Sequence, residues 1–253
     1  MGKAGRISVA VAAVVLLSTT VGHAKRAPWL RLHRATPAVT QDAAPVIPSD
    51  KVALVIANSR YPDADAPLAQ VASDANALAG ALRDRGYQVE VVANATRADL
   101  TRATERLKKR VRAGGSVVMY LGGFGVQSRG QNYLVPVDAA IWQERDVRVQ
   151  GLNINSLLGA PKSAGAKTTL VYLDASLRNP YERRFRTYSH GLAPIATEAA
   201  TQVVTAAAPG QVPENPDQVQ SAITAKLVNR LRSSQPIDRA FKDVQTDVLE
   251  AMY

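Results

Sequence analysis

The sequence predicts an α/β fold in which a mainly parallel sheet carries helices on both faces. Short apolar runs alternate along the chain with stretches whose apolar residues have helical spacing. The runs 51–57 (KVALVIA) and 168–173 (TTLVYL) are apolar almost throughout, which is typical of strands buried on both faces. With 253 residues and 46% hydrophobic content, the chain is long enough to bury one sizeable core.

The predicted elements follow from local signals in chain order. Five runs are predicted as strands: 51–57, 87–92, 116–121, 168–173 and 201–207. Ser73 is predicted to cap a helix that stops before Gly86, and Thr96 to cap a second helix that ends at Gly114-Gly115.

The second half of the chain gives shorter signals. Residues 132–137 are predicted as a hairpin arm, and Asn153 or Asn155 as the start of a short helix. Two further helices are predicted at 218–232 and 236–251. The functional crevice of such a sheet lies beyond the carboxyl ends of its strands, which directs attention to the loops 122–125 and 174–179.

The glycine-rich loop 122–125 does not match a phosphate-binding motif. A P-loop requires Lys-Ser/Thr after its last glycine, but Val126-Gln127 follow Gly125. A dinucleotide fingerprint that starts at Gly123 requires glycine at 128, where Ser128 stands. The loop is therefore interpreted as a tight turn that needs glycine, and no cofactor is predicted.

The residue types present exclude several chemistries. The chain has no cysteine, which excludes disulfides, thiolate metal sites and thiol catalysis. It has three histidines, His23, His33 and His190, too few for a histidine-rich metal site. No metal is predicted.

Residues 1–24 are predicted to be a cleaved secretory signal peptide, so the protein is expected in the periplasm or outside the cell. Lys3 and Arg6 supply the positive start, residues 7–17 are apolar except for Ser8, and small residues stand at 22 and 24. The alternative is an uncleaved anchor, for which the mainly apolar 11-residue run 7–17 is short, because a membrane span needs about 20 residues.

Residues 25–49 are predicted to be a flexible basic linker rich in proline. They hold Lys25, Arg26, Arg31 and Arg34 against the single acid Asp42, within a chain of net charge +10. This segment could attract an acidic partner or make weak contact with an anionic membrane surface. No nucleic-acid partner is predicted, because no nucleic-acid motif appears and the predicted signal peptide directs the protein away from nucleic acid.

Three residues near the predicted loops could carry chemistry. Ser176 follows a buried strand, where a nucleophile could be presented, but a serine nucleophile needs a base, and its flanks lack the glycines of a nucleophile elbow. Asp74 near a helix start and Asp174 at a strand end are acids beside apolar segments. Taken alone, all three are ordinary cap or turn residues.

From Lys51 onward, several segments in order resemble the bacterial caspase-like peptidases, the metacaspase and orthocaspase relatives of peptidase class C14. The segments are Lys51–Asn58, Val71–Leu78 with Asp74, Gly86–Val89, Asn94–Arg97, Tyr120–Gln127, Asn132–Asp138, Leu173–Ser176, Gly191–Pro194 and Ala208–Gln211. Each segment alone is weak evidence for the resemblance, but their order along the chain is specific to the family. The resemblance implies a caspase-like three-layer fold for a domain at 50–253.

The resemblance also locates two changed catalytic positions. The family uses a cysteine–histidine dyad, in which the histidine helps to form the thiolate that attacks the peptide carbonyl. By position, the histidine corresponds to Phe124 and the cysteine to Ser176. Acids at the positions of Asp74 and Asp174 are implicated in the family in holding a basic side chain of the substrate.

Three functions follow as hypotheses. The first is a catalytically inactive pseudopeptidase that binds Arg- or Lys-containing segments or a protein partner, such as an active caspase-like relative. The second is a residual hydrolase in which Ser176 is the nucleophile and His190 the base. The third is an electrostatic surface binder that acts through residues 25–49, which strong salt dependence would identify.

Overall fold

The computed structural model describes residues 39–40, 47–64, 67–177, 179–185, 191–197, 199–212 and 220–250. All of them belong to one compact unit, residues 34–253. The predicted signal peptide, most of the predicted linker and His190 lie outside the described residues. Within the described part of the chain, no helix is long and apolar enough to cross a bilayer.

Nine strands and six α-helices make up the described fold. The strands are β1 Val39–Thr40, β2 Ser49–Ala57, β3 Gln88–Ala93, β4 Val111–Gly122, β5 Gly125–Ser128, β6 Gln131–Leu134, β7 Leu152–Asn153, β8 Thr168–Asp174 and β9 Thr201–Thr205. The helices are α1 Ala69–Asp84, α2 Arg97–Arg110, α3 Glu144–Gln150, α4 Ile154–Ser163, α5 Ala222–Arg232 and α6 Ile237–Glu250.

The main sheet has the strand order β1-β3-β2-β4-β8-β9. Its last five strands are parallel, and only the two-residue β1 is antiparallel, on β3. A second, three-stranded antiparallel sheet consists of β5, β6 and β7. The predicted α/β class with a mainly parallel sheet is thereby confirmed.

Helices cover both faces of the main sheet, as the unbroken apolar strands require. Along β2, Leu54 and Ile56 pack in one core with residues of α2 and α4. The alternate residue Val55 packs in a second core with residues of α1, α5 and α6. Successive side chains of a strand point to opposite faces, so a strand apolar at every position separates two cores.

Helix starts were predicted with mixed success. Thr96 caps α2 as predicted, since its hydroxyl accepts a hydrogen bond from the Asp99 N–H while the Asp99 carboxylate accepts one from the Thr96 N–H. Asn153 caps α4. The prediction that Ser73 caps α1 is wrong, because the helix begins four residues earlier, at Ala69.

Two other boundaries also differ from the predictions. Helix α2 ends at Arg110 and the chain enters β4 directly, so Gly114-Gly115 do not end the helix but lie inside a strand. Within the predicted linker, Val39–Thr40 pair with β3 and Ser49 begins β2. In both cases pairing with a neighbouring strand sets the boundary, which local residue types do not show.

Candidate active site

The ends of β4 and β8 bring the two positions singled out in the sequence together. The strands are adjacent and parallel, with Gly122 opposite Asp174 at their carboxyl ends. Beyond them the chains stay in contact, since the Gly125 N–H donates to the Ala175 carbonyl at 2.9 Å. Phe124 and Ser176 then face each other in an isolated antiparallel bridge.

Phe124 is buried at the tip of the glycine-rich loop, with 6% of its surface exposed. Its ring lies on that of Tyr61, with 4.6 Å between the ring centroids and an angle of 51° between the planes. The Tyr61 hydroxyl accepts the Phe124 N–H at 3.0 Å and donates to the Val135 carbonyl at 3.0 Å. Burial raises the pKa of Tyr61, so this hydroxyl stays protonated.

The glycines of this loop allow close backbone approach. Gly123 has φ +141°, and a Cβ there would lie 2.5 Å from the Tyr61 hydroxyl oxygen. A Cβ on Gly125 would lie 2.4 Å from the Ala175 carbonyl oxygen. Both contacts agree with the interpretation of the loop as a tight turn rather than a phosphate cradle.

Ser176 is also buried, with 1% of its surface exposed. Among the described residues, none forms a hydrogen bond with the Ser176 hydroxyl, so no described group is placed to remove its proton. His190, the base proposed for serine catalysis, lies outside the described residues. A serine without a base is a neutral alcohol and a weak nucleophile.

The two predicted substrate-binding acids are buried in the same region. Asp74 lies on α1 with 0% exposure, and its carboxylate accepts the Ser221 N–H at 3.1 Å. Asp174 ends β8 with 1% exposure and accepts the Tyr120 hydroxyl at 2.9 Å. These bonds connect α1 to the start of α5, and β8 to β4.

Burial acts on both carboxyls, and the charge of Asp74 acts in addition on Asp174. Burial, together with the negative charge of Asp74, raises the pKa of Asp174 to about 7 against the lowering effect of the Tyr120 hydrogen bond. Burial also raises the pKa of Asp74, although hydrogen bonds from Thr224 and Ser221 oppose this effect. No lysine or arginine of the described chain forms an ion pair with either acid.

The structure adds residues that the sequence did not single out. Gln70 lies beside Asp74 and helps to lower its pKa, yet its own Oε1 is buried without a hydrogen-bond donor. Tyr61, Tyr120 and Ser221 complete the surroundings of the two sites. Of these, Tyr120 could have been noticed, because it begins the segment that resembles the family's histidine tract.

Two clefts formed by described residues lie away from Phe124 and Asp174. Among the described residues, no group of three His, Asp or Glu side chains could hold a metal ion. One cleft of about 240 Å³ lies between α4 and Thr201, and another of about 250 Å³ lies between α1 and the carboxyl ends of β2 and β3. Neither is lined by Phe124 or Asp174.

Comparison with known proteins agrees with this architecture. The profile of the caspase domain, Peptidase C14, matches residues 50–252. Among solved structures, the Drosophila initiator caspase Dronc superposes with a TM-score of 0.52 at 14% identity, over 78% of this chain and 72% of that one. No curated protein sequence matches. Because the profile of the caspase domain matches residues 50–252, most of the length of this chain, the chain belongs to the caspase-domain family of C14 peptidases.

Proposed function

We propose that this protein is an exported, catalytically inactive member of the family that binds basic segments of a peptide or protein partner. One observation carries the proposal. The positions that correspond to the catalytic dyad, Phe124 and Ser176, pair with each other and are buried, while no lysine or arginine among the described residues neutralises the buried acids Asp74 and Asp174.

The loss of catalysis follows from the chemistry of the two side chains. Phenylalanine can neither accept nor donate a proton, so Phe124 cannot act as a base. Ser176 offers a hydroxyl where the family has a thiol, and a hydroxyl needs an adjacent base before it attacks a carbonyl. When a nucleophile and its base act together, loss of either one removes most of the catalytic rate, and loss of the other then adds little.

Binding of a basic side chain follows from the acceptors that remain. Asp74, Asp174 and the unpaired Oε1 of Gln70 offer carboxylate and amide oxygens in a buried setting. A guanidinium presents five N–H donors, and its hydrogen bonds to carboxylates are about twice as strong as neutral ones. The Ser221 N–H now occupies Asp74, so a ligand would have to displace the start of α5.

The alternative, a residual hydrolase that uses Ser176, has less support. It requires a base, and the described residues supply none within hydrogen-bond distance of the hydroxyl. Export itself rests on the pattern of residues 1–24 and stays a prediction, as does weak membrane contact through 25–49.

The proposal predicts that arginyl peptides bind through the acid pair. The protein is titrated with an arginyl peptide and with the same peptide carrying citrulline, which keeps the shape and removes the charge. Asp174→Asn and Asp74→Asn should each weaken arginyl binding at least about tenfold, because a charge-assisted bond is lost. Asp50→Asn, at an exposed acid that contacts Arg112 at 3.4 Å, is the matched control. Equal binding of the two peptides, or unchanged affinity of Asp174→Asn and Asp74→Asn for the arginyl peptide, would refute the proposal.

A further inference from the structure

Asp74 and Asp174, the acid pair, have no positively charged neighbour among the described residues. Four titratable groups face one another where α1, β4 and β8 meet: Asp74, Tyr120, Tyr172 and Asp174. Helix α5 adds only the backbone N–H and hydroxyl of Ser221 and the hydroxyl of Thr224. No described cation reaches the cluster.

The tyrosines cannot relieve this charge. Burial raises the pKa of both Tyr120 and Tyr172, and the two carboxyls raise it further, so both phenols remain protonated. Their rings lie 5.4 Å apart, and they serve as hydrogen-bond donors or apolar walls. Two carboxylates in one buried site cannot both ionise readily, because each disfavours the charge of the other.

The two acids are not equally supplied with donors. Asp74 accepts the Ser221 N–H at 3.1 Å and is further stabilised as a carboxylate by Thr224 and Gln70. From the described residues, the Asp174 carboxylate accepts one hydrogen bond, from the Tyr120 hydroxyl. A proton in this cluster therefore resides mainly on Asp174.

We propose that Asp174 holds one proton beside the ionised Asp74, and that a basic side chain displaces this proton to solvent when it binds. The second half rests on the proposed function, and the first half does not. Charge balances in the step, since one positive side chain enters as one proton leaves. The site would thus couple occupancy to pH.

The stored proton and its displacement each predict the direction of a pH dependence. Without ligand, a carboxyl protonated in the folded state and ionised in the unfolded state stabilises the fold below its unfolded pKa of 3.8, and this contribution is lost as pH rises through about 7. The affinity for a basic ligand should rise up to about tenfold for each unit of increasing pH while the acid pair is protonated. It should level off above about pH 7.

The stored proton is tested without ligand. Wild type, Asp174→Asn and the control Asp50→Asn are unfolded by urea between pH 5 and 8. Between pH 5 and 7, the unfolding constant of wild type should rise relative to Asp174→Asn by up to about tenfold per pH unit, with Asp50→Asn following wild type. Parallel curves for wild type and Asp174→Asn would overturn the stored proton. If Asp174→Asn does not fold, infrared spectroscopy of the wild type at pH 6 replaces this comparison. The carbonyl band of a protonated carboxyl supports the stored proton, and its absence overturns the proposal.

Proton release is tested by calorimetry of arginyl-peptide binding at pH 6 in two buffers with different ionisation enthalpies. About one proton released per peptide supports the displacement. Binding with no proton released overturns the displacement and leaves the proposed function standing. No binding refutes the proposed function and the displacement together, while the urea curves still decide on the stored proton.

Discussion

Phe124 shows how a single side chain supports the loop around the candidate site. Its ring packs on that of Tyr61 and is buried from solvent. The Tyr61 hydroxyl holds the same loop through the Phe124 N–H and the Val135 carbonyl. Phe124 therefore contributes to the stability of the loop.

Tyr61→Phe should cost about 1–3 kcal/mol of unfolding free energy, because a buried N–H and a buried carbonyl lose their shared partner. The loss is measured by urea denaturation. Tyr133→Phe is the matched control, since Tyr133 is buried to a similar degree and its hydroxyl has no hydrogen bond to the described residues. Equal effects of the two substitutions would contradict the role given to the Tyr61 hydroxyl.

Sequence reasoning located Phe124, Ser176, Asp74 and Asp174, and the structure brings Phe124 and Ser176 into contact and buries all four residues. The partners of the two acids were not predictable. Ser221 lies 147 residues from Asp74, and Tyr120 lies 54 residues from Asp174. Such contacts depend on how the strands and helices pack, which local patterns do not encode.

At the scale of elements, the strands were easier to predict than the helix boundaries. The five predicted strands all occur. Among them β2, β4 and β8 are buried along most of their length, and a strand buried on both faces leaves a continuous apolar run. Helix α3 and strands β1, β5 and β7 were missed. Helix α3 has seven residues and buries only Val147, so it has no apolar stripe to detect.

The two helix starts give a direct comparison of a true cap with a false one. Thr96→Ala removes the side-chain acceptor at the start of α2 and should cost about 0.5–2 kcal/mol of unfolding free energy. Ser73→Ala lies inside α1 and should change stability by less than about 0.5 kcal/mol. Thermal or urea unfolding of the two variants measures both values. A larger loss for Ser73→Ala than for Thr96→Ala would contradict the assigned helix starts.

At the scale of the whole molecule, the parallel sheet determines where function can reside. Strands β4 and β8 end side by side, and their loops carry Phe124 and Ser176 to one edge of the sheet. The same strands bring Tyr120 and Asp174 to the buried cluster that α1 and α5 complete. Family membership was inferable from the joint order of weak segments and the mainly parallel sheet from the apolar runs, whereas the burial of the two acids required the structure.

The central claim is that the scaffold persists without its catalytic groups, and restoring those groups tests it most directly. Arginyl and lysyl fluorogenic peptides are incubated with wild type, Ser176→Ala and the double variant Phe124→His/Ser176→Cys. The account predicts no turnover by wild type or Ser176→Ala, and a gain of turnover in the double variant, because a base and a thiol then meet at the bridged positions. Cleavage by wild type that Ser176→Ala abolishes would contradict it.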